Sequence, residues 1–185
     1  IQIINHLAPF PVVVKILPSF SELVEGKLSI SDLHKVDIKD LLGRETVVPN
    51  KELLSKNIHG KNVMITGAGG SIGSEICRQL ISINPRSVIL YEINELALYT
   101  IEIEMSELGF EKTKIIPILG DINDKKYLIK VCKSFDINTI YHAAAYKHVP
   151  MVELNTITGV NNNVFGTLKC AQAAIESKVE TFVLI

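Results

Sequence analysis

The sequence predicts a doubly wound α/β fold: five parallel strands in the order 3-2-1-4-5, covered by helices on both faces, behind an irregular N-terminal extension. Three observations carry that prediction. From residue 61 onward, short apolar runs alternate with longer amphipathic stretches in the order β-α-β-α-β-α-β-α-β. The runs are apolar almost without interruption, as strands buried on both faces are. No internal repeat offers a competing architecture.

The elements follow in order. Asn62–Thr66 is the first strand and runs into a cluster of glycines. Ser71–Ile83 then places apolar residues at 72, 76, 80 and 83, along one face of a helix. Ser87–Tyr91 is the second strand and Glu95–Leu108 the second helix. Lys114–Leu119 is a strand that ends at Gly120-Asp121, and Lys125–Ser134 is the helix after it. Thr139–Ala143 is the fourth strand. Thr156–Ser177 contains a long helix, preceded by a short one after Pro150, and Thr181–Ile185 is the fifth strand.

Residues 1–60 differ in texture. They hold four of the seven prolines but three of the eleven glycines, and no periodicity is sustained across them. A β-branched run (Val12–Ile16), a short helix (Ser21–Glu25), one or two helical turns (Asp37–Leu42, ended by Gly43) and a short helix Lys51–Ser55 capped by Asn50 are expected there. The expected division is an extension or linker over 1–60 and a regular domain over 61–185.

Composition narrows the function. Of 185 residues 47% are apolar and 21% charged, which excludes disorder for most of the chain. A net charge of −1, with no dense basic face, speaks against nucleic acid as a partner. No apolar run approaches the roughly 18 residues of a membrane span; the best candidate, Phe10–Leu17, stops at Pro18. Cys77, Cys132 and Cys170 are odd in number, far apart and without a C-x-x-C, so they read as reduced cytosolic thiols. His6, His34 and His59 are equally scattered, and no metal site is expected. The first methionine is Met64, so the chain reads as a piece of a longer protein, with no signal-peptide pattern at its start.

The chemistry begins at Thr66-Gly67-Ala68-Gly69-Gly70-Ser71-Ile72-Gly73. This segment does not fit G-x-G-x-x-G, because the last position falls on Ile72; it fits G-x-x-G-x-x-G with Gly67, Gly70 and Gly73. Gly67 permits the tight turn, Gly70 lets backbone approach a pyrophosphate, and Gly73 lets the helix pack closely on the strand. The free N–H groups and the helix dipole at Ser71–Gly73 favour an anion. A strand precedes the loop and a helix follows it, the context that separates a dinucleotide site from a plain turn. Glu92 closes the second strand nineteen residues past Gly73, where a carboxylate accepts from the adenosine ribose hydroxyls and repels a 2′-phosphate. No Arg or Lys lies at 93–96 to receive such a phosphate, so NAD is favoured over NADP. Asp121 and the Ile122 backbone are placed to meet the adenine edge, while Asp124 reads as the cap of the next helix.

These segments, with His142-Ala143-Ala144-Ala145-Tyr146-Lys147-His148-Val149-Pro150 after the fourth strand, resemble the extended short-chain dehydrogenase/reductase superfamily, a Rossmann-type fold. Within it, HAAAYKHVP is close to the hallmark of CapD-like polysaccharide biosynthesis proteins, nucleotide-sugar 4,6-dehydratases and epimerases. Asn163-Val164-Phe165-Gly166-Thr167 matches that family's N-V-x-G-T helix motif, and Val36–Arg44 matches the segment leading into its catalytic domain. The resemblance covers about residues 11–185 and implies more than the residues themselves say. Val12–Pro18 would be the tail of a preceding domain, and missing N-terminal helices would hold a cytoplasmic parent at the inner face of the plasma membrane. A UDP-sugar, UDP-N-acetylglucosamine first, would be dehydrated through an internal NAD redox cycle: hydride leaves C4, water leaves across C5–C6, and hydride returns at C6. The resemblance also places an Asp-Lys pair and a Tyr/Met-x-x-x-Lys helix just after strand five. No Tyr-x-x-x-Lys occurs in the 185 residues, so no catalytic residue is assigned in this chain and the piece itself is expected to be inactive. A UDP-sugar 4-epimerase and a non-catalytic NAD-binding or sensing module stay open as alternatives, and so does a homo-oligomer.

Ala143, Ala144 and Ala145 leave room for a cofactor to approach, or simply pack tightly between strand and helix. Lys147 faces a nicotinamide ribose, a sugar or a phosphate, or is a surface lysine; His148 starts a helix or touches substrate. His142 reads as a satisfied structural histidine, and Asn163 as a helix residue whose amide bonds backbone near strand four.

Overall fold

The computed structural model describes residues 15–16, 34–35, 50–108 and 113–185. The expectations for Ser21–Glu25 and Asp37–Leu42 lie outside these residues. The chain forms two compact units, Ile1–Pro49 and Asn50–Ile185. In the first, Lys15–Ile16 pairs antiparallel with His34–Lys35.

The second unit contains α1 (Lys51–Ile58), β1 (Asn62–Thr66), α2 (Ser71–Ile81), β2 (Ser87–Glu92), α3 (Glu95–Glu107), β3 (Lys114–Leu119), α4 (Lys125–Ser134) and β4 (Thr139–His142). There follow α5 (Val149–Leu154), α6 (Thr156–Val160), a π-helical stretch (Asn161–Gly166), α7 (Thr167–Glu176) and β5 (Thr181–Leu184). All five strands are parallel and their order is β3-β2-β1-β4-β5, the doubly wound order expected. Pro117 sits on β3, at one border of the sheet, where a residue without an N–H is tolerated.

Alternate residues of the strands feed two separate cores. Val63 and Ile65 of β1 and Val88 and Leu90 of β2 pack beneath α2 and α3, with Cys77, Leu80, Leu98, Ile101 and Met105. Met64, Ile89, Tyr91 and Ile140 point the other way, onto α4 and α7, with Leu128, Val131, Cys170 and Ala173. A sheet covered on both faces needs such unbroken apolar strands.

Helix α1 is capped by Asn50, whose side chain accepts from the Glu52 and Leu53 amides at 3.0 and 3.2 Å. It runs three residues further than Ser55 and buries Ile58 in the first core, so the compact unit counts it in. The helix expected within Thr156–Ser177 is continuous, but its middle, Asn161–Gly166, widens to a π-helical turn between α6 and α7. Asn155 (φ −127°, ψ 48°) separates it from the short α5, as expected. In the π-turn Gly166 lies close against Ile122.

Candidate functional site

The loop Gly67–Gly70 joins β1 to α2 at the carboxyl edge of the sheet. Gly67 is in the left-handed region (φ +69°), and a Cβ there would stand 2.8 Å from the Ala144 Cα. A Cβ on Gly73 would stand 2.0 Å from the Gly67 carbonyl oxygen, so α2 starts tight against the loop. Gly70 caps α2 without a side chain and has open space around it except for the Gly67 oxygen at 3.3 Å. The Gly70 amide donates to Gly67 O and the Ser74 amide to Gly70 O. Between them, the amides of Ser71, Ile72 and Gly73 donate to no described residue. Three N–H groups without an acceptor among the described residues, at a helix N-terminus that lines a cleft, fit a pyrophosphate.

Glu92 ends β2 and is 8% exposed. Its carboxylate is held by backbone: Oε2 accepts from the Gly69 amide (3.0 Å), and Oε1 from the Ile93 and Asn94 amides (2.9 and 3.0 Å). A carboxylate offers about four acceptor positions, so one remains for a ligand. Beside it, the Gly120 amide donates to Glu92 O (2.9 Å), and the Tyr91 hydroxyl donates to Asp121 O (2.9 Å). The half-buried Asp121 side chain accepts from the Asn123 amide, and Ile122 is buried against Gly166. Asp124 caps α4 by accepting from the Tyr127 amide.

A cleft of about 470 Å³ opens between the first turn of α2 and the segment 143–159. Gly70, Ser71, Ile72 and Gly73 form one wall; Ala143, Ala145, Tyr146, Lys147 and His148 form the facing one; Met151, Val152, Asn155, Thr158 and Gly159 close the end. The cleft thus brings eight of the thirteen expected residues together. Gly67 and Ala144 lie behind it, against each other, while Glu92, Asp121 and Ile122 gather at the ends of β2 and β3. Lys147 and His148 are exposed, and the His148 carbonyl accepts from the Met151 and Val152 amides to start α5.

Two residues brace the cleft from below. Asn163 grips the Tyr146 backbone at both ends, accepting from its amide and donating to its carbonyl, each at 2.9 Å. His142, 2% exposed, has Nδ1 in a hydrogen bond with Thr66 Oγ1 (2.7 Å) and Nε2 in one with Thr167 Oγ1 (2.9 Å). Burial pushes its pKa down to about 4, so the ring is neutral at ordinary pH and serves structure. Burial likewise raises the thiols, Cys77 and Cys170 to about 12 and Cys132 to about 11, as core residues require. Among the described residues no His/Cys/Asp/Glu group has metal-binding geometry, and no helix is long and apolar enough to cross a membrane.

Sequence reasoning did not find the strut role of Tyr91, which reads as one more apolar strand residue. Nor did it find that the Glu92 carboxylate holds the glycine loop; the only signal was its position beside that loop.

A family described as polysaccharide biosynthesis protein matches residues 63–185. The chain is 38% identical to the capsular polysaccharide biosynthesis protein CapD of Staphylococcus aureus over 169 residues, 91% of this chain and 28% of that protein. It is 32% identical to an inverting UDP-N-acetylglucosamine 4,6-dehydratase of Campylobacter jejuni over 123 residues, 66% of this chain and 35% of that one. The chain therefore spans about a third or less of the length of these relatives. Its fold is also that of a UDP-glucose-4-epimerase from Stenotrophomonas maltophila solved with NAD and a formylated UDP-arabinopyranose: TM-score 0.61 at 20% identity, over 67% of this chain and 36% of that one.

Proposed function

The chain belongs to the polysaccharide biosynthesis protein family it matches, and on that premise we propose that it is the NAD-binding half of a nucleotide-sugar 4,6-dehydratase, acting on UDP-N-acetylglucosamine. The observation that carries the reading is the cleft, which brings Ser71–Gly73, whose amides have no acceptor among the described residues, together with Ala143 and Ala145–His148. In this reading those amides take the pyrophosphate, with Gly67 and Gly70 keeping the loop flat enough for close approach. Glu92 accepts a ribose hydroxyl through its remaining position, and its charge disfavours the 2′-phosphate of NADP. Asp121 and Ile122 border the adenine. Ala143 and Ala145 leave space for the nicotinamide end while Ala144 packs behind them, and Lys147 faces the sugar or its phosphate with His148 beside it. NAD bound there would supply a hydride acceptor and donor for the sugar. No Tyr-x-x-x-Lys occurs in these 185 residues, so this reading assigns none of them as the acid–base pair.

A UDP-sugar 4-epimerase is the second reading, because no residue of this chain separates elimination from plain epimerisation. Calorimetry on the chain should show NAD binding, with NADP weaker by about tenfold or more from the like charge of Glu92. The longer protein, given UDP-N-acetylglucosamine in deuterium oxide, should lose the C6 hydroxyl and gain deuterium at C5, followed by NMR. A C4-inverted sugar without deuterium at C5 would establish the epimerase instead. No heat with NAD would overturn the cofactor reading, whatever the sugar does.

A further inference from the structure

We propose that Tyr91 is a positioning residue for base recognition: its hydroxyl holds the Gly120–Ile122 turn in register with the glycine loop. The inference rests on the NAD reading above and deepens it.

Two loops meet at the end of β2, and Tyr91, like its neighbour Glu92, touches both. The Tyr91 carbonyl accepts from the Gly67 amide at 2.9 Å and from the Ala68 amide at 3.4 Å, anchoring the glycine loop to the strand. Its side chain leaves on the opposite face of the sheet and donates to Asp121 O at 2.9 Å. The Asp121 carbonyl also accepts from the Asp124 amide at 3.0 Å, but that bond stays within the turn; the Tyr91 bond connects the carbonyl to the sheet.

The fit is specific to this side chain. A Cβ on Gly120 would stand 2.5 Å from the Tyr91 ring, so the turn crosses directly over the phenol. The ring is fully buried and braced by Tyr127, centroids 6.3 Å apart. Burial raises the phenol's pKa, which keeps the hydroxyl a donor at any working pH. Backbone bonds such as Gly120 N–H to Glu92 O do not involve the Tyr91 side chain. The hydroxyl bond does not survive phenylalanine, although phenylalanine fills the same volume. If Tyr91 only filled the core, phenylalanine would serve equally; the hydroxyl adds control over where Asp121 and Ile122 stand.

The test compares the chain with Tyr91→Phe, and with Gly120→Ala, which pushes on the same contact from the other side. Folding is checked by circular dichroism. Without dinucleotide, hydrogen exchange at the Asn123 and Asp124 amides should quicken about tenfold in Tyr91→Phe, the worth of one ordinary hydrogen bond, while the β1 amides stay as they were. In titrations, NAD should bind about tenfold more weakly, and its preference over nicotinamide hypoxanthine dinucleotide should shrink. A loss of general stability would weaken both dinucleotides alike and leave that preference untouched. Unchanged exchange, or an unchanged preference, overturns the proposal. Failure of the unaltered chain to bind either dinucleotide overturns the cofactor reading and the base-recognition role with it, while the exchange result still decides whether the hydroxyl holds the turn.

Discussion

The two edges of the sheet are built from the same five strands and solve opposite problems. At the amino edge, side chains close off backbone. Asn62 donates to Asp136 O and accepts from Ser87 Oγ, the Asn62 amide donates to Asn138 Oδ1, and Thr139 Oγ1 donates to Asn57 O. Helices arriving there are turned by residues in the left-handed region: Asn84, Asp136 and Lys178, with φ between 47° and 57°. At the carboxyl edge the glycine loop packs backbone on backbone against Ala143–Ala144, and the amides of Ser71, Ile72 and Gly73 have no partner among the described residues. One edge uses its polar groups on itself; the other, although Glu92 and Asn163 also bond backbone, leaves three amides for a ligand. Stability and binding should therefore separate by edge, which substitutions can test.

The largest effect should come from Gly73→Ala at the carboxyl edge. Its Cβ would meet a backbone oxygen that cannot swing aside, so a loss of about 3 kcal/mol, the upper range for overpacking, is expected in urea melts. The same variant should fail to bind NAD; normal binding would mean that the loop is not the pyrophosphate site.

His142 gives the same edge a pH dependence. Its folded pKa of about 4 lies below the ordinary value near 6.5, so the unfolded chain binds the extra proton first. The neutral ring's contribution is complete above pH 6.5 and is lost as pH falls toward 4. Stability should drop by about 2 kcal/mol between pH 7 and pH 5, and that slope should flatten in His142→Asn even if the variant is weaker throughout. An identical slope in both would assign the acid sensitivity to other groups.

The smallest effect is expected at the amino edge. Asn62→Ala removes two side-chain bonds and leaves the Ser87 hydroxyl without its partner, at a cost of about 1.5 kcal/mol. NAD affinity should be unchanged. A parallel loss of binding would show that the edges are coupled and the division is wrong.

Much of this arrangement was legible beforehand, for identifiable reasons. β1, β3 and α4 fall where expected because unbroken apolar runs and an Asp124 cap are local signals. The glycine spacing and Glu92 were legible because each has a chemical requirement at a fixed position. What was not legible is tertiary. Helical periodicity continues through residues 156–177, and nothing in it marks the π-turn at 161–166, where Gly166 approaches Ile122 and Asn163 bonds Tyr146. The Tyr91 hydroxyl is similarly invisible, since a buried phenol and a buried hydrophobe leave the same mark on a strand pattern.

Pro117 also guards one side of the sheet. A strand laid beside β3 would meet a residue with no N–H to share, so pairing of β3 with another chain would lack a ladder bond at that point.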